Sequence, residues 1–314
     1  MRRGFKIGVL VGAVALLVTA ALTQRDDNDH VRAQPRGRRA DLPVGVRADF
    51  DVAYRSDTEP PYNLLDISYH EESAPGGRPA IIFVHGGGWR GGDKSTYAQR
   101  PAREYAGDGY VTVNVNYRLS GSAPFPAAIE DVKAAIRWLR ANAERYGVDP
   151  SRIGMMGGSA GAHLVALAGV TSPDDGLEGD GPHPEVSSRV QCVVARSGIY
   201  DLRPEFLTQK GNGDPAVVGF LGGPADEKAE LARQASPVVY LDAEDPPLLL
   251  IHGTEDWRIP ILAAEHMVAA LERAGTPYQY IRVEGGGHGG APTPKRAAEI
   301  EAAIAAFFAK HLKQ

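Results

Sequence analysis

Cysteine is almost absent from this chain of 314 residues: Cys192 stands alone, so no disulfide can form within it. A domain of this size can rely on its hydrophobic core, and the lone cysteine leaves the compartment undecided. Metal-ligand patterning is missing as well. His70-Glu71-Glu72-Ser73-Ala74 lacks the second histidine of a zinc helix, and no Cys/His cluster occurs, so metal catalysis is disfavoured. Nor is there an excess of positive charge: 34 Lys and Arg stand against 39 Asp and Glu, a net of −5. That balance disfavours nucleic acid and other polyanions as partners. Internal repeats and low-complexity tracts are absent too.

What is present begins with an N-terminal apolar run. Arg2, Arg3 and Lys6 precede Ile7 to Thr23, and a small-residue site follows at Val31-Arg32-Ala33. This pattern predicts a signal peptide over residues 1–33 and an exported protein, periplasmic or secreted. The run of 17 residues exceeds the usual signal core of about 7 to 15 and touches the lower edge of a spanning helix, about 17 to 25. An uncleaved anchor is therefore the alternative, and the only route by which a membrane becomes a partner. The polar segment Gln24 to Arg39 argues against a buried core helix. Removing residues 1–33, with five Lys/Arg against three Asp, would take the net charge from −5 to −7. Residues 34–40 read as a linker and 41–314 as one domain.

Within that domain strand and helix signals alternate from Ala80 to the C-terminus without a linker, which predicts an α/β fold with one doubly wound sheet. Val46 to Arg55 and Leu64 to His70 read as an opening antiparallel pair. Ile129, Val132, Ile136 and Leu139 recur at helical spacing on the segment from Pro126 to Arg145. Asp131 on that helix is expected to make a structural bond.

Two glycine clusters carry the chemistry. Gly157-Gly158-Ser159-Ala160-Gly161 follows the strand-like Ile153, Met155 and Met156 and precedes a helix-like run from His163 to Gly169. A G-x-S-x-G sequence in that context is a nucleophile elbow, with the serine exposed on a sharp strand-to-helix turn. Upstream, the apolar Ala80-Ile81-Ile82-Phe83-Val84 ends in His85-Gly86-Gly87-Gly88-Trp89. Acyl transfer to serine creates a negative oxygen, which backbone N–H groups stabilise only where no side chain blocks approach. Gly87, Gly88 and Ala160 are the candidate oxyanion donors. The same cluster also fits a dinucleotide fingerprint, Gly86-x-Gly88-x-x-Gly91, ahead of a helix starting near Asp93. That rival needs an acid after the next strand, where Asn114-Val115-Asn116-Tyr117-Arg118 has none, so no cofactor is expected.

A triad on this scaffold runs in the order Ser, acid, His, each after a strand. Pro247 to Ile251 opens into His252-Gly253-Thr254-Glu255-Asp256, and Tyr278 to Val283 into Gly285-Gly286-Gly287-His288-Gly289. Ser159, Asp256 and His288 are the candidate nucleophile, acid and base, with Glu255 as the competing acid, expected to face solvent. Of the nine histidines, His85 is expected to brace the glycine loop, and His163 and His252 to be hydrogen-bonded near the sheet top. His30, His70, His183, His266 and His311 are expected at the surface.

These residues resemble the serine esterases of the α/β-hydrolase fold, near the hormone-sensitive-lipase-like branch and closer to bacterial feruloyl and acetyl-xylan esterase-like proteins. The resemblance runs from Tyr62-Asn63-Leu64-Leu65-Asp66 through the two glycine clusters, Asp149-Pro150-Ser151-Arg152-Ile153-Gly154 and His252 to Asp256, to Gly287-His288-Gly289. It implies an α/β-hydrolase fold and a carboxylic ester hydrolase acting on small-molecule or carbohydrate esters, such as acetylated or feruloylated polysaccharide. Gly158 departs from it, standing where that branch has an acidic residue before the serine. An amidase, arylformamidase-like or peptidase-like hydrolase would use the same triad, and a fold relative kept as a binding protein is the third reading. In this fold the stretch 203–236 is where a lid is inserted. Phe206, Val217, Phe220 and Leu221 are candidates either for an acyl pocket or for core packing. Few of that stretch's residues are large and apolar and many are charged, so a small pocket is expected.

Overall fold

The computed structural model describes residues 42–207 and 209–313. The signal-peptide or anchor segment at 1–33 and the linker at 34–40 lie outside the described residues. Strands β1 (Val46–Ala53), β2 (Leu64–His70), β3 (Arg78–Val84), β4 (Val111–Val115), β5 (Val148–Gly158), β6 (Cys192–Arg196), β7 (Leu248–Gly253) and β8 (Tyr278–Val283) form one sheet in the order β1-β2-β4-β3-β5-β6-β7-β8. β2 pairs antiparallel with both β1 and β4, whereas every pairing from β4 through β8 is parallel. The expected opening antiparallel pair and parallel, doubly wound sheet are both present.

Helices fill the crossovers that parallel pairing requires. α1 (Lys94–Gly107) joins β3 to β4; α2 (Ala127–Ala141) and the single turn α3 (Ala143–Tyr146) join β4 to β5. α4 (Ala160–Val170) follows β5, and the short α5 (Gln209–Asn212), α6 (Pro215–Leu221) and α7 (Ala229–Gln234) lie between β6 and β7. α8 (Leu262–Ala274) precedes β8 and α9 (Pro294–Leu312) follows it. The helix predicted from Pro126 to Arg145 is interrupted at Asn142, whose side-chain amide donates to the Trp138 carbonyl at 2.8 Å and ends α2.

The central strands read as continuous apolar runs because both faces of the sheet are covered. Successive side chains alternate between two cores. Ile82, Val84, Met155, Val193 and Leu250 pack with Ile129, Val132 and Ile136 of α2 and Leu164 and Leu167 of α4. Ile81, Phe83, Met156, Val194 and Leu249 pack on the other face with Tyr105 of α1 and Ile304 and Phe308 of α9. Asp131 is fully buried on α2. It pairs with Arg55 and with the Arg118 Nε at 2.9 Å, and accepts from the Arg118 backbone N–H at 2.7 Å. Its role is to tie the segment after β4 to the helix.

A second buried carboxylate is less well served. Asp245, just before β7, accepts from the Asp242 N–H at 2.9 Å through Oδ2, while Oδ1 has no partner. Burial pushes its carboxyl up to about 6. The folded protein thus holds this proton to higher pH than the unfolded chain. The contribution is complete below about pH 4, the unfolded value, and is lost as pH rises through about 6. Asp245→Asn keeps the acceptor and cannot ionise. It is expected to stabilise the protein by about 1 kcal/mol at neutral pH and by close to nothing at about pH 4. Thermal unfolding at the two pH values checks this, and an equal gain at both would count against it.

Candidate active site

Ser159 occupies the turn between β5 and α4 with φ 55° and ψ −123°, a conformation in which a non-glycine residue is strained. The turn is held by the Ser159 N–H donating to the Arg196 carbonyl of β6 at 2.8 Å, and by the His163 N–H closing the first turn of α4 on the Ser159 carbonyl at 3.1 Å. The flanking glycines are required by close approach. A Cβ on Gly157 would lie 2.3 Å from the Gly161 oxygen, and one on Gly161 would lie 2.1 Å from the Val84 oxygen at the end of β3. Any side chain at either position would push α4 off the sheet.

The loop after β3 comes against this turn. Gly87 has φ +118°, which a side-chain-bearing residue avoids. Among the described residues, the N–H groups of Gly87, Gly88 and Ala160 donate to no carbonyl or side chain. His85 braces the loop from beneath: its ring stacks on Tyr117 with centroids 4.3 Å apart, and the Tyr117 hydroxyl donates to the His85 carbonyl at 2.9 Å. Burial lowers the His85 pKa, which favours the neutral ring. Where a dinucleotide site would need an acid after β4, the chain has Asn116. Its side-chain oxygen accepts from the Lys94 N–H at 2.6 Å, and its amide donates to Asp93 at 3.0 Å. That position is used to start α1.

Asp256 and His288 leave the ends of β7 and β8. The His288 Nδ1 lies 2.8 Å from Asp256 Oδ2, while Oδ1 accepts from the backbone N–H groups of Arg258 and Ile259, each at 2.9 Å. The Asp256 carboxylate is thus buried and multiply held, whereas the adjacent Glu255 is exposed. With Nδ1 donating to the carboxylate, Nε2 of the imidazole is left to accept. His252 is the carboxylate's second neighbour, with Nε2 3.4 Å from Oδ2 and 2.9 Å from the Ile259 carbonyl. Desolvation lowers the pKa of His252. The fully buried His163 accordingly falls to about 4, its Nε2 2.7 Å from the Ala235 carbonyl.

Two cavities meet at Ser159. One, about 690 Å3, is bordered by Gly87, Gly88, Ser159 and His288. The other, about 730 Å3, is bordered by Ser159, Ala160, Ile199, Phe206, Val217 and Leu262. The structure thus brings together the serine, the histidine and the glycine loop around one space, with Asp256 behind the histidine. Residues 203–236 supply a wall of the larger cavity through Phe206 and Val217. Phe220 and Leu221 instead turn into the core, where Phe220 stacks on Trp89 at 4.4 Å. The expectation of a small pocket is corrected. The segment contributes only one wall, and α8, the loops after β3, β6 and β7, and the Ser159 turn enclose the rest.

Other neighbours were not evident from sequence. Ser197, after β6, accepts the Gly289 N–H at 2.9 Å, and Arg196 donates to the Gly289 carbonyl at 3.2 Å, so the end of β6 clamps the histidine loop. His266, expected at the surface, is partly covered in the wall of the larger cavity. Its Nδ1 lies 3.5 Å from Asp201, and its ring stacks on Phe206 at 4.3 Å. Nothing in a single sequence signals contacts between residues so far apart along the chain. Among the described residues no three His, Cys, Asp or Glu side chains converge as a metal would need.

The sequence profile of the BD-FAE family matches residues 65–271, more than half of the chain. Esterase LipC of Mycobacterium tuberculosis is 33% identical over 235 residues, covering 73% of this chain and 57% of LipC. The chain spans about half the length of the curated relatives it matches. Among solved structures, a truncated carbohydrate esterase from gut microbiota superposes with a TM-score of 0.76 at 29% identity, covering 85% of this chain and 97% of that one. The butyrate-bound esterase 2 of the Planctomycetes species Thermogutta terrifontis gives 0.65 at 27% identity, with 85% and 94% covered. Together with the sheet and its crossovers, these likenesses give the fold as that of the α/β-hydrolases, and the chain belongs to the BD-FAE family.

Proposed function

We propose that this protein is a carboxylic ester hydrolase that works through an acyl-enzyme on Ser159. The observation that carries the reading is the Asp256–His288 hydrogen bond at 2.8 Å, with His288 bordering the same cavity as Ser159. In the proposed reaction Nε2 of His288 takes the hydroxyl proton as Ser159 Oγ attacks the ester carbonyl, and the oxygen that gains negative charge accepts from the Gly87, Gly88 and Ala160 N–H groups. The first turn of α4 adds its positive dipole end at the same place. Collapse of the tetrahedral species breaks the bond to the alcohol, which leaves with the proton from His288. Water then repeats the sequence, releasing the acid and restoring Ser159. Asp256 holds the imidazole tautomer and stabilises the imidazolium. Labelling by a fluorophosphonate, lost in Ser159→Ala, tests the nucleophile directly. Hydrolysis of acyl esters compared with the matching amides tests the bond class.

The substrate we propose is a short acyl ester of a soluble alcohol such as a sugar hydroxyl. The carbohydrate esterase among the structural neighbours supports the sugar, and the butyrate-bound neighbour supports a short acyl group. Volume does not impose the limit, since 730 Å3 would admit more. Polarity does. A long alkyl chain leaving the apolar patch at Ile199 and Val217 would run past Asp201, Glu205, Asp214 and Glu265 on the walls. Each methylene then forfeits much of the ~0.8 kcal/mol that full burial would bring. We therefore expect kcat/KM for acetyl to butyryl esters to exceed that for octanoyl and longer esters, measured below their micellar concentrations. A steady rise from acetyl to decanoyl would replace the sugar-ester reading with a lipase-like one.

A further inference from the structure

The two cavities that meet at Ser159 differ in charge. Four carboxylates border the larger one: Asp201, Glu205, Asp214 and Glu265. None borders the other, whose basic or titratable side chains are His85, Arg196, Arg258 and His288. Arg196 is already matched, holding Glu301 at 2.8 Å. Arg258 is not. It stands at the boundary of both cavities, and among the described residues no carboxylate pairs with its guanidinium, which lies only over the Trp257 ring at 6.0 Å. The nearby acids are engaged elsewhere: Asp201 with Arg203 at 2.6 Å, Asp214 with the Ala216 N–H at 2.7 Å, Glu265 with Arg282 at 3.7 Å, and Glu205 with Arg203 at 3.9 Å.

Position adds to charge. The Arg258 N–H is bonded to Asp256, so the residue is anchored to the loop carrying the carboxylate that orients His288. Its side chain reaches to the glycine loop, where a Cβ on Gly88 would lie 3.9 Å from Nη2. The exposed guanidinium therefore stands beside the glycine loop, next to the place where the ester bond must lie. His288 borders the same cavity and delivers the proton to the departing oxygen, so the alcohol half of the substrate occupies this side.

From this we infer that the smaller cavity is an alcohol subsite that selects a leaving group bearing a carboxylate, an acidic sugar by chemical class, and that Arg258 is its specificity-determining residue. The inference rests on the ester-hydrolase reading above. A guanidinium is suited to this task because its donors form a planar fork matching the two carboxylate oxygens. The surrounding glycines and histidines leave that fork free to be taken by substrate.

A matched pair of esters tests it: para-acetoxyphenylpropanoate, whose leaving phenol carries a carboxylate, and its neutral N-methylamide. The wild-type enzyme is expected to favour the anionic ester in kcat/KM, with the preference shrinking as salt rises from about 0.02 M to about 0.5 M. Arg258→Gln is expected to lower the anionic-to-neutral ratio about tenfold, mainly through KM for the anionic ester, and Arg258→Lys to retain part of it. If Arg258→Gln slows both esters equally and leaves the ratio unchanged, Arg258 only braces the Asp256 loop and the subsite is overturned. Turnover of both esters by the wild type without preference overturns the subsite alone. Turnover of neither removes the hydrolase reading as well.

Discussion

Replacing Ser159 with alanine is expected to lower kcat by roughly 10^5- to 10^6-fold, as losses of a triad nucleophile do, while moving Tm by about 2 °C or less. The two halves of this prediction have separate causes. Oγ is the only atom that can form the acyl bond, and the neighbouring Ala160 N–H and glycine loop can supply only what remains above the uncatalysed rate. Stability is spared because alanine retains the Cβ and therefore the same cost at φ 55°. Strain and backbone bonds to Arg196 and His163 are the same in both proteins. Steady-state turnover of a butyryl ester together with a thermal melt measures both. Retention of more than a tenth of the activity would end the acyl-enzyme reading.

The second large effect separates two adjacent acids. Asp256→Asn should cost roughly 10^4-fold in kcat, whereas Glu255→Gln should stay within about twofold. Asp256 receives hydrogen on both oxygens, from the Arg258 and Ile259 N–H groups on one and from His288 on the other. An asparagine must turn its amide nitrogen toward one of these donors. Facing the backbone pair, it sets donor against donor; facing His288, it forces Nδ1 to accept and puts the proton on Nε2, the atom that must take it from Ser159. Glu255 is exposed and its side chain holds nothing in the site. The opposite order of damage would identify Glu255 as the functional acid.

Most of the sheet was legible because its strands are long enough and apolar enough to be read locally. β3 and β7 fall close to where their apolar runs begin and end, β8 covers Tyr278–Val283 as read although the exposed Gln279 and Arg282 interrupt it, and Asp93 caps α1 through the Ser95 N–H at 2.8 Å. The grouping of Ser159, Asp256, His288 and the glycine loop could be anticipated for a related reason. Each follows a strand, and the C-terminal ends of parallel strands lie on one edge of the sheet. The break in α2 at Asn142 was not legible, since helical apolar spacing continues across it and a side-chain bond to the Trp138 carbonyl decides the end. Ser197 gave no signal either, because its value lies in meeting Gly289 across the top of the sheet.

The sequence by itself determined the order of strands and helices, the turn that exposes Ser159 and the loop that carries Gly87 and Gly88, because periodicity and glycine spacing act over a few residues. Only the tertiary structure decided what surrounds them. Within 203–236, Phe206 and Val217 border the cavity while Phe220 enters the core against Trp89, and composition cannot divide such residues because all of them are apolar. The same holds for charge: Arg203 and Arg282 find carboxylates, while Arg258 is left over the Trp257 ring. Arg203 takes its carboxylates, Asp201 and Glu205, from its own loop, whereas Arg282 of β8 reaches Glu265 only because α8 packs beside that strand. Arg258 meets no carboxylate among the described residues where the loop after β7 packs over the sheet edge.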